Sequence, residues 1–492
     1  MSSPLPLDPR LNKVPGNVSH VHILGICGTG MAALAGMLKE KNIAVTGSDE
    51  NVYPPMSDFL DSAGIPVLRG YSSENLSCNP DLVVVGNVIR ASNPEVAAVA
   101  RLGIPYVSMP QALAHFFLCD HTSLVVAGTH GKTTTSSLLA SVLHHAGASP
   151  GFMIGGIVEA FSRNYALGGG EYFVVEGDEY DTAFFDKGSK FLHYRPDYAI
   201  ITSVEFDHAD IFSDLETIKR SFLKFVALVP EKGIIVACTD DPVVAEVVRH
   251  ASCRVVSYGT GGNCEWQVRD FAPNGPSSSF TIVHDRRPYG TFTLPMPGIY
   301  NALNAASVIS LLHQLGFDRE TIGRGLASFQ GVKRRQQIRG EVDDILVIDD
   351  FAHHPTAVSA TVNALKDAWP GRRLVIVFEP RTNSSRRAVF QEKYARAFSG
   401  ADLVLVREHI PLVNVPEDQQ FSSRKLVEDL TAAGKSAHYF ADTSDILGYL
   451  EENSRTGDAI AILSNGGFDN IHERLLARLR RRRHVTAGGR TA

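Results

Sequence analysis

Positive charge in excess, long apolar runs and paired cysteines are all missing from this sequence, and each absence excludes a class of protein. The 492 residues carry 47 basic against 53 acidic side chains, a formal net charge of -6, so no bulk positive field is available to hold nucleic acid or an anionic membrane. No run of about 18 apolar residues occurs, so no membrane-spanning helix is expected. The opening MSSPLPLDPRLNKVPGNVSH places proline and polar residues where a secretory leader would need an apolar core, and a cytoplasmic location is the expectation. The 6 cysteines, Cys27, Cys78, Cys119, Cys238, Cys253 and Cys264, include no CxxC pair. Neither a disulfide framework nor a zinc ribbon is predicted, and they read as reduced, mostly buried thiols.

What is present is ordinary globular composition, 44% hydrophobic and 20% charged with a mean hydropathy of -0.02. At roughly 100 to 200 residues per domain the length allows about three domains. Short apolar, β-branched runs alternate with helical stretches, the pattern of βαβ units and mainly parallel sheets, so the fold class is α/β. A first block holds runs at Val21–Gly25, Ile43–Val45 and Leu82–Val85. A second holds Leu124–Ala127, Tyr172–Val175, Tyr198–Ile201 and Ile234–Ala237, followed by a Gly- and Ser-rich stretch from Gly259 to Tyr289 that reads as hairpins or an inserted loop region. A third holds Ile345–Ile348, Leu374–Phe378, Leu403–Val406 and Ala459–Leu463, with helices over Pro355–Ala368 and Ser422–Ala433. The predicted domains are residues 19–120, 121–331 and 332–483, and residues 1–18 and the tail from about His484 are expected to be disordered. The run Arg480–Arg483 reads as a solvated helix end.

The strongest motif is Gly128-Thr129-His130-Gly131-Lys132-Thr133-Thr134, entered from a strand and leading into a helix. Glycines let backbone N–H groups turn toward phosphate oxygens, the helix N-terminus adds partial positive charge, Lys132 adds a full one, and the Thr133 hydroxyl suits Mg²⁺. It departs from the general pattern, because Val126 stands where the first glycine would be. The next two strands run into Glu176-Gly-Asp178-Glu179-Tyr-Asp181 and Glu205-Phe-Asp207-His208. The carboxyl ends of parallel strands share one edge, so Lys132, Glu176 and His208 are predicted to converge. Glu176 is the leading magnesium ligand. His208 stands open between a metal-site role and a capping or core-polar one, and Asp178, Glu179 and Asp181 between site residues and a solvated loop face.

Gly25-Ile-Cys-Gly28-Thr29-Gly30-Met-Ala-Ala-Leu-Ala-Gly36, opening a helix after the first strand, and Ser48-Asp49, ending the second, imitate a dinucleotide fingerprint with irregular glycine spacing. A diphosphate-binding loop and glycines for close helix packing both fit. In the third block Asp349-Asp350-Phe-Ala-His353-His354-Pro355 and Glu379-Pro-Arg381 end strands on the expected ligand edge. Vicinal histidines without a third ligand argue against zinc. Arg381 suits a carboxylate, since its planar fork pairs bidentately.

At these residues the sequence resembles the Mur ligase family, the ATP-dependent amide-forming enzymes of peptidoglycan synthesis, over nearly the whole chain. The resemblance implies a Rossmann-like UDP-sugar domain, a central P-loop ATPase domain and a C-terminal Rossmann-like domain that binds the amino acid or peptide. It implies ATP and Mg²⁺ as cofactors, with Lys132, Glu176 and His208 as the catalytic set and Thr133, Glu176 and His208 at the metal. Residues 128–134 match the family's short P-loop. Pro297–Ala306 resembles its adenine-side segment through Asn301 and Asn304, with Tyr300 where many members carry histidine. Gly331-Val-Lys-Arg334-Arg335-Gln336 resembles the interdomain arginine motif, and Asp350 a residue that reaches the nucleotide. By the same resemblance Gly25, Gly28, Thr29, Gly30, Ser48 and Asp49 serve the UDP-sugar, and His353, His354, Arg381 and Asn465 the peptide. Gly30 sits where many members carry a bulkier residue.

The motifs point to the branch that starts from UDP-N-acetylmuramate: the position of the carbamylated lysine of other branches falls on Phe222. Two activities share that branch, addition of L-alanine and addition of the tripeptide L-alanyl-γ-D-glutamyl-meso-diaminopimelate. Segments 48–57, 176–186, 206–212 and 464–468 resemble the tripeptide-adding member. The implied partners are UDP-N-acetylmuramate and that tripeptide, with no nucleic acid or membrane, in a monomer or weak homo-oligomer. The rival readings are L-alanine addition, an NAD-dependent oxidoreductase built on the N-terminal glycine loop, and a nucleotide-dependent switch without ligase chemistry.

Overall fold

A computed structural model describes residues 7–413 and 415–488. Among the described residues its strands fall into three large sheets, in line with the three sequence blocks, and one separate two-stranded hairpin. The first contains β1 (His20–Leu24), β2 (Ala44–Asp49), β3 (Val67–Arg69), β4 (Leu82–Val85) and β5 (Tyr106–Ser108), in the order β3-β2-β1-β4-β5, all parallel. Its central strands are buried nearly throughout, because helices cover both faces of a parallel sheet. Strand order reverses between β1 and β4, and Leu24 lies level with both Ser48 and Val85. A ligand crevice is expected at that reversal.

The second sheet is built from β6 (Thr122–Ala127), β7 (Gly151–Val158), β8 (Arg163–Ala166), β9 (Tyr172–Gly177), β12 (Tyr198–Ile201), β13 (Ile234–Cys238) and β14 (Arg254–Gly259), with a separate hairpin of β10 (Asp181–Ala183) and β11 (Asp186–Ser189). The order β14-β13-β12-β6-β9-β7-β8 places β6 between β12 and β9. Ala127 is therefore level with Ile201 on one side and Gly177 on the other. The Gly- and Ser-rich stretch folds as the antiparallel ribbon β15 (Trp266–Asn274), β16 (Ser277–His284) and β17 (Arg287–Leu294).

The third sheet comprises β18 (Gln337–Val342), β19 (Ile345–Asp350), β20 (Arg373–Phe378), β21 (Leu403–Arg407), β22 (Ser436–Phe440) and β23 (Asp458–Leu463), ordered β18-β19-β23-β20-β21-β22. Period-2 alternation splits its core in two. Ile348, Ile376 and Phe378 face one layer with Val358 and Tyr394, while Val347, Val375 and Val377 face the other with Ile471 and Leu475. Asp350 and Phe378 are both level with Leu463, which brings the ends of β19, β23 and β20 to one edge.

By compactness the chain divides into two units. One comprises residues up to Glu205 with Leu215–Gly259 and Ser307–Gly325; the other comprises Phe206–Asp214, Thr260–Ala306 and the chain from Leu326. Both ends are more ordered than expected. Pro9–Leu11 form a 3-10 turn capped by Asp8, and Leu7 and Leu11 pack on the cluster of Leu24, Val85 and Tyr106, because two leucines four residues apart give the segment apolar surface to bury. The last helix runs Ile471–Gly488, past His484, anchored by Arg478 to Glu451 and by Arg482 to the carbonyls of Glu451 and Ser454. Residues 1–6 and 489–492 lie outside the described residues. Among the described residues no helix is long and apolar enough to cross a membrane.

Candidate functional site

Glycine conformations build the loop after β6. Gly128 (φ +136°) and Gly131 (φ +79°) occupy backbone regions that L side chains rarely adopt. A Cβ on Gly128 would stand 2.0 Å from Thr202 Oγ1, so the loop lies against the segment that follows β12. Thr129 N donates to Ser203 O at 2.8 Å and His130 N to Ser203 Oγ at 3.0 Å. Gly131 then starts the helix Lys132–His145, which no side chain caps. Its leading N–H groups form an anion-binding end.

Lys132 Nζ donates to Gly128 O at 2.6 Å and to Glu179 Oε2 at 2.7 Å; its side chain is 12% exposed and that of Glu179 1%. Burial opposes the ammonium charge, but Glu179, Asp178 and Glu176 outweigh it and push its pKa up to about 12. Thr133 Oγ1 donates to Glu176 Oε1 at 3.0 Å, and Gly155 N fixes the other carboxylate oxygen at 2.7 Å. Thr134 is buried beside them in the same helix turn. Lys132, Thr133 and Glu176 thus stand together at the start of this helix. His208 belongs to the other compact unit. There it adopts a left-handed backbone (φ +51°) and its N–H donates to Asp207 Oδ1 at 2.6 Å. Burial alone would raise the Asp207 pKa, but His208, His354 and His353 hold it far below the usual carboxylate range.

At the edge of the first sheet Gly25 (φ +79°) turns the chain, Gly25 N and Ile26 N donate to Ser48 O at 2.8 and 3.2 Å, and Cys27 N donates to Asp49 Oδ2 at 2.9 Å. Gly28 precedes the helix Thr29–Glu40. The glycine and Ser-Asp segments therefore form one structure. Within the same motif close packing falls on Gly36, where a Cβ would meet Tyr165 Oη at 2.4 Å. A Cβ on Gly30 would stand 3.6 Å from Met109 Cε and 3.7 Å from Met153 Cε, so methionine methyl groups fill the place of the bulkier residue.

In the second unit Asn301 and Asn304 lie buried on the helix Ile299–Gln314. Asn301 Nδ2 donates to Pro297 O at 2.8 Å and Gln336 Oε1 at 3.1 Å, and Asn304 Nδ2 to Asn301 Oδ1 at 3.3 Å. Asp350 accepts from Gln336 N and Ala352 N, both at 2.8 Å; burial raises its pKa, against the pull of those amides and Arg335. Arg335 lies 4.3 Å from the centroid of Phe351. His354 caps the helix Pro355–Ala368, and its Nε2 lies 3.2 Å from Phe206 O. His353 Nδ1 is 2.9 Å from Phe351 O.

Arg381 is exposed and rests on Gly466, where a Cβ would stand 2.2 Å from its guanidinium. Arg334 binds the carbonyls of Ser464 and Gly466 at 2.5 and 2.6 Å and that of Asn465 at 3.4 Å. Among the described residues Asn465 Oδ1 is buried without a partner. Arg381 and Asn465 therefore belong to one loop surface, whereas His354 is turned to backbone tasks.

Three family descriptions match the chain in the order of its sheets: "Mur ligase family, catalytic domain" over residues 20–118, "Mur ligase middle domain" over 126–312 and "Mur ligase, glutamate ligase domain" over 334–466. The UDP-N-acetylmuramate--L-alanyl-gamma-D-glutamyl-meso-2,6-diaminoheptandioate ligase of Escherichia coli (strain K12) is 38% identical over 459 residues, 93% of this chain and 97% of that protein. The chain belongs to the Mur ligase family. The UDP-N-acetylmuramate--L-alanine ligase of Acetivibrio thermocellus is 34% identical over 466 residues, covering 94% of this chain and 96% of that one. A solved murein peptide ligase from Psychrobacter arcticus 273-4 superimposes with a TM-score of 0.70 at 35% identity, covering 94% and 98% of the two chains.

The three-domain α/β fold of Mur ligases, mostly parallel in its sheets, is the fold here, and its members are ATP-dependent amide-bond ligases. The departure from the general phosphate-loop pattern has a structural reason in this chain: Val126 is paired to both Glu176 and Ile200, so the position of the missing glycine is interior strand. Sequence reasoning left Glu179 on a possible loop face and passed over Ser203. Both are brought to the loop by contacts 47 and 73 residues apart in sequence. Their one local signal is that each follows a strand of the expected ligand edge.

Proposed function

We propose that this chain uses ATP to join L-alanyl-γ-D-glutamyl-meso-diaminopimelate to the lactyl carboxylate of UDP-N-acetylmuramate through an acyl phosphate. The observation that carries the nucleotide half of the reading is the cluster of Lys132, Thr133 and Glu176 at an uncapped helix N-terminus. The tripeptide half rests on likeness to the E. coli protein, 38% identical, against 34% for the L-alanine ligase of A. thermocellus.

A carboxylate is a poor acyl donor until one of its oxygens becomes a leaving group. Here the loop amides and the Lys132 ammonium would bind the β- and γ-phosphates, with the γ-phosphorus facing the carboxylate of the sugar. Transfer forms the carboxylate O–P bond and breaks the bond to ADP. The tripeptide α-amine then attacks the acyl carbon, and the tetrahedral intermediate collapses to amide and inorganic phosphate. Glu179 keeps Lys132 charged and at the loop mouth.

Hard oxygen donors 3.0 Å apart on Thr133 and Glu176 fit Mg²⁺, whose neighbouring ligands in octahedral geometry stand about 2.9 Å apart. These two residues would hold it, and the family resemblance adds His208. The cation would neutralise triphosphate charge. Asn301, Asn304, Arg335 and Asp350 are assigned to the nucleotide, Gly25, Gly28, Thr29, Gly30, Ser48 and Asp49 to the UDP-sugar, and His353, Arg381 and Asn465 to the peptide. The family resemblance implies His354 there too, but its ring faces Thr356 N and Phe206 O.

The test is phosphate release from ATP with UDP-N-acetylmuramate and, in turn, L-alanine, L-alanyl-γ-D-glutamate and the tripeptide. The tripeptide is expected to give the highest kcat/KM. Preference for L-alanine would replace the reading with its sister activity, and phosphate release indifferent to both sugar and amine would overturn ligase chemistry.

A further inference from the structure

Glu95 is a fully buried carboxylate (0% exposed) that no step of the proposed reaction uses. It sits in the first turn of the helix Pro94–Leu102, the helix that follows β4. Its Oε2 accepts from Ser48 Oγ at 2.7 Å and faces His22 Nε2 at 3.4 Å; its Oε1 accepts from Asn75 Nδ2 at 2.6 Å and Ser72 N at 3.2 Å. The other ring nitrogen of His22 lies 2.8 Å from Thr46 Oγ1 on β2. One carboxylate is thus reached from β1, from the end of β2, and from the turn after β3.

Those partners are the supports of the ligand edge. Ser48 O accepts the Gly25 and Ile26 amides, and the neighbouring Asp49 carboxylate accepts Cys27 N. Asn75 Nδ2 also donates to Gly70 O at 3.1 Å, and Gly70 N donates back to Asp49 O at 2.8 Å. Burial would favour a neutral acid, but His22, Ser48 and Asn75 outweigh it and hold the Glu95 pKa below its ordinary value. Apolar packing of the same volume would stabilise the domain at least as well as a buried ion. What the carboxylate adds is direction: it accepts from two separate segments, the end of β2 and the turn after β3, faces His22 on β1, and sets their spacing at the crevice beside β1 and β4.

We infer that Glu95 is a positioning residue of the sugar-nucleotide site, holding the Gly25–Gly28 loop, Ser48–Asp49 and the Ser72–Asn75 turn in the shape that receives a nucleoside diphosphate sugar, without itself touching the ligand. This inference rests on the assignment of that edge to UDP-N-acetylmuramate.

The test uses the full chain, with UDP-N-acetylmuramate binding measured by calorimetry and phosphate release measured with each substrate varied. In Glu95→Ala three donors lose their acceptor, and Kd and KM for the UDP-sugar are expected to rise about tenfold or more, with kcat and the KM for ATP changed less than about twofold. Asn75→Ala, which keeps the carboxylate and removes one donor, is expected to shift Kd in the same direction by a smaller factor. Glu95→Gln, which keeps an acceptor for Ser72 and Asn75, is expected to fall between wild type and Glu95→Ala. A residue that merely stabilises the domain would lower the melting temperature without this split between KM values.

Unchanged Kd in folded Glu95→Ala, or an equal rise in every KM, overturns the inference. Should Glu95→Ala fail to fold, wild-type Kd in both Asn75→Ala and Glu95→Gln overturns it. Absence of UDP-N-acetylmuramate binding by the wild-type chain would overturn the parent assignment as well, whereas binding by wild type with unaltered variants overturns this inference alone.

Discussion

Replacing Lys132 by methionine separates what the lysine does for the fold from what it does for phosphate. Its ammonium is held by Glu179 at 2.7 Å, with both side chains largely buried. The folded pKa of about 12 lies above the ordinary 10.5, so the pair stabilises the fold fully below pH 10.5 and loses that contribution as pH rises through about 12. That upward displacement is worth on the order of 2 kcal/mol. Removing the lysine alone costs more, about 3 to 5 kcal/mol, because the buried charge of the Glu179 carboxylate loses the ammonium that stands 2.7 Å from it. Adding Glu179→Gln removes that charge and should restore most of the loss.

Catalysis should not follow stability. Phosphate release is expected to fall by on the order of a thousandfold in Lys132→Met and to stay low in the double variant. The assay is a thermal melt of the full chain beside phosphate release at saturating substrates, for wild type, both single variants and the double. A double variant that melts as low as Lys132→Met would show that the buried pair is not the source of the loss. Recovery of phosphate release in the double variant would refute the role of Lys132 at the triphosphate.

Three further outcomes follow from geometry. Gly128→Ala places a methyl 2.0 Å from Thr202 Oγ1 on a backbone at φ +136°, so ATP-dependent phosphate release should be lost while UDP-sugar binding by calorimetry persists; a wild-type KM for ATP would contradict this. Arg381→Ala should raise the KM for the tripeptide about tenfold or more, the worth of a charge-assisted hydrogen bond, and leave that for ATP nearly unchanged; the reverse ordering would assign Arg381 to the nucleotide. His354→Ala removes the acceptor for Thr356 N and should cost about 1 kcal/mol of stability as a lost helix cap, seen as a lower melting midpoint. A larger effect on the tripeptide KM than that of Arg381→Ala would return His354 to the peptide.

Much of the fold was legible because its signals are local. The apolar runs at Leu82–Val85 and Tyr198–Ile201 are strands over those same residues, and Pro355–Ala368 is a helix with those same ends, since proline at the first helical position and an apolar face mark such a segment unaided. The Gly128–Thr134 turn was legible for the same reason. Its glycines, lysine and threonines are consecutive, and their conformations follow from their own chemistry. The order of residues 7–11 was not legible, because Leu7 and Leu11 look like loop until the surface they cover is known.

By itself, then, the sequence determined the α/β class, the order of the three sheets, the glycine turn leading into the helix of Lys132 and Thr133, and membership in the Mur ligases. Tertiary structure alone decided which acids matter. Asp178, Glu179 and Asp181 form one acidic run, yet only Glu179 has its carboxylate buried against Lys132, while Asp178 and Asp181 pair with Lys190 and Lys187. Glu95 carried no motif at all, and its partners lie 20 to 47 residues away in sequence. The physical reason is the same in both cases: local pattern sets backbone conformation and burial, but the partner of a buried charge is chosen by strand order and register, which join residues that sequence spacing keeps apart.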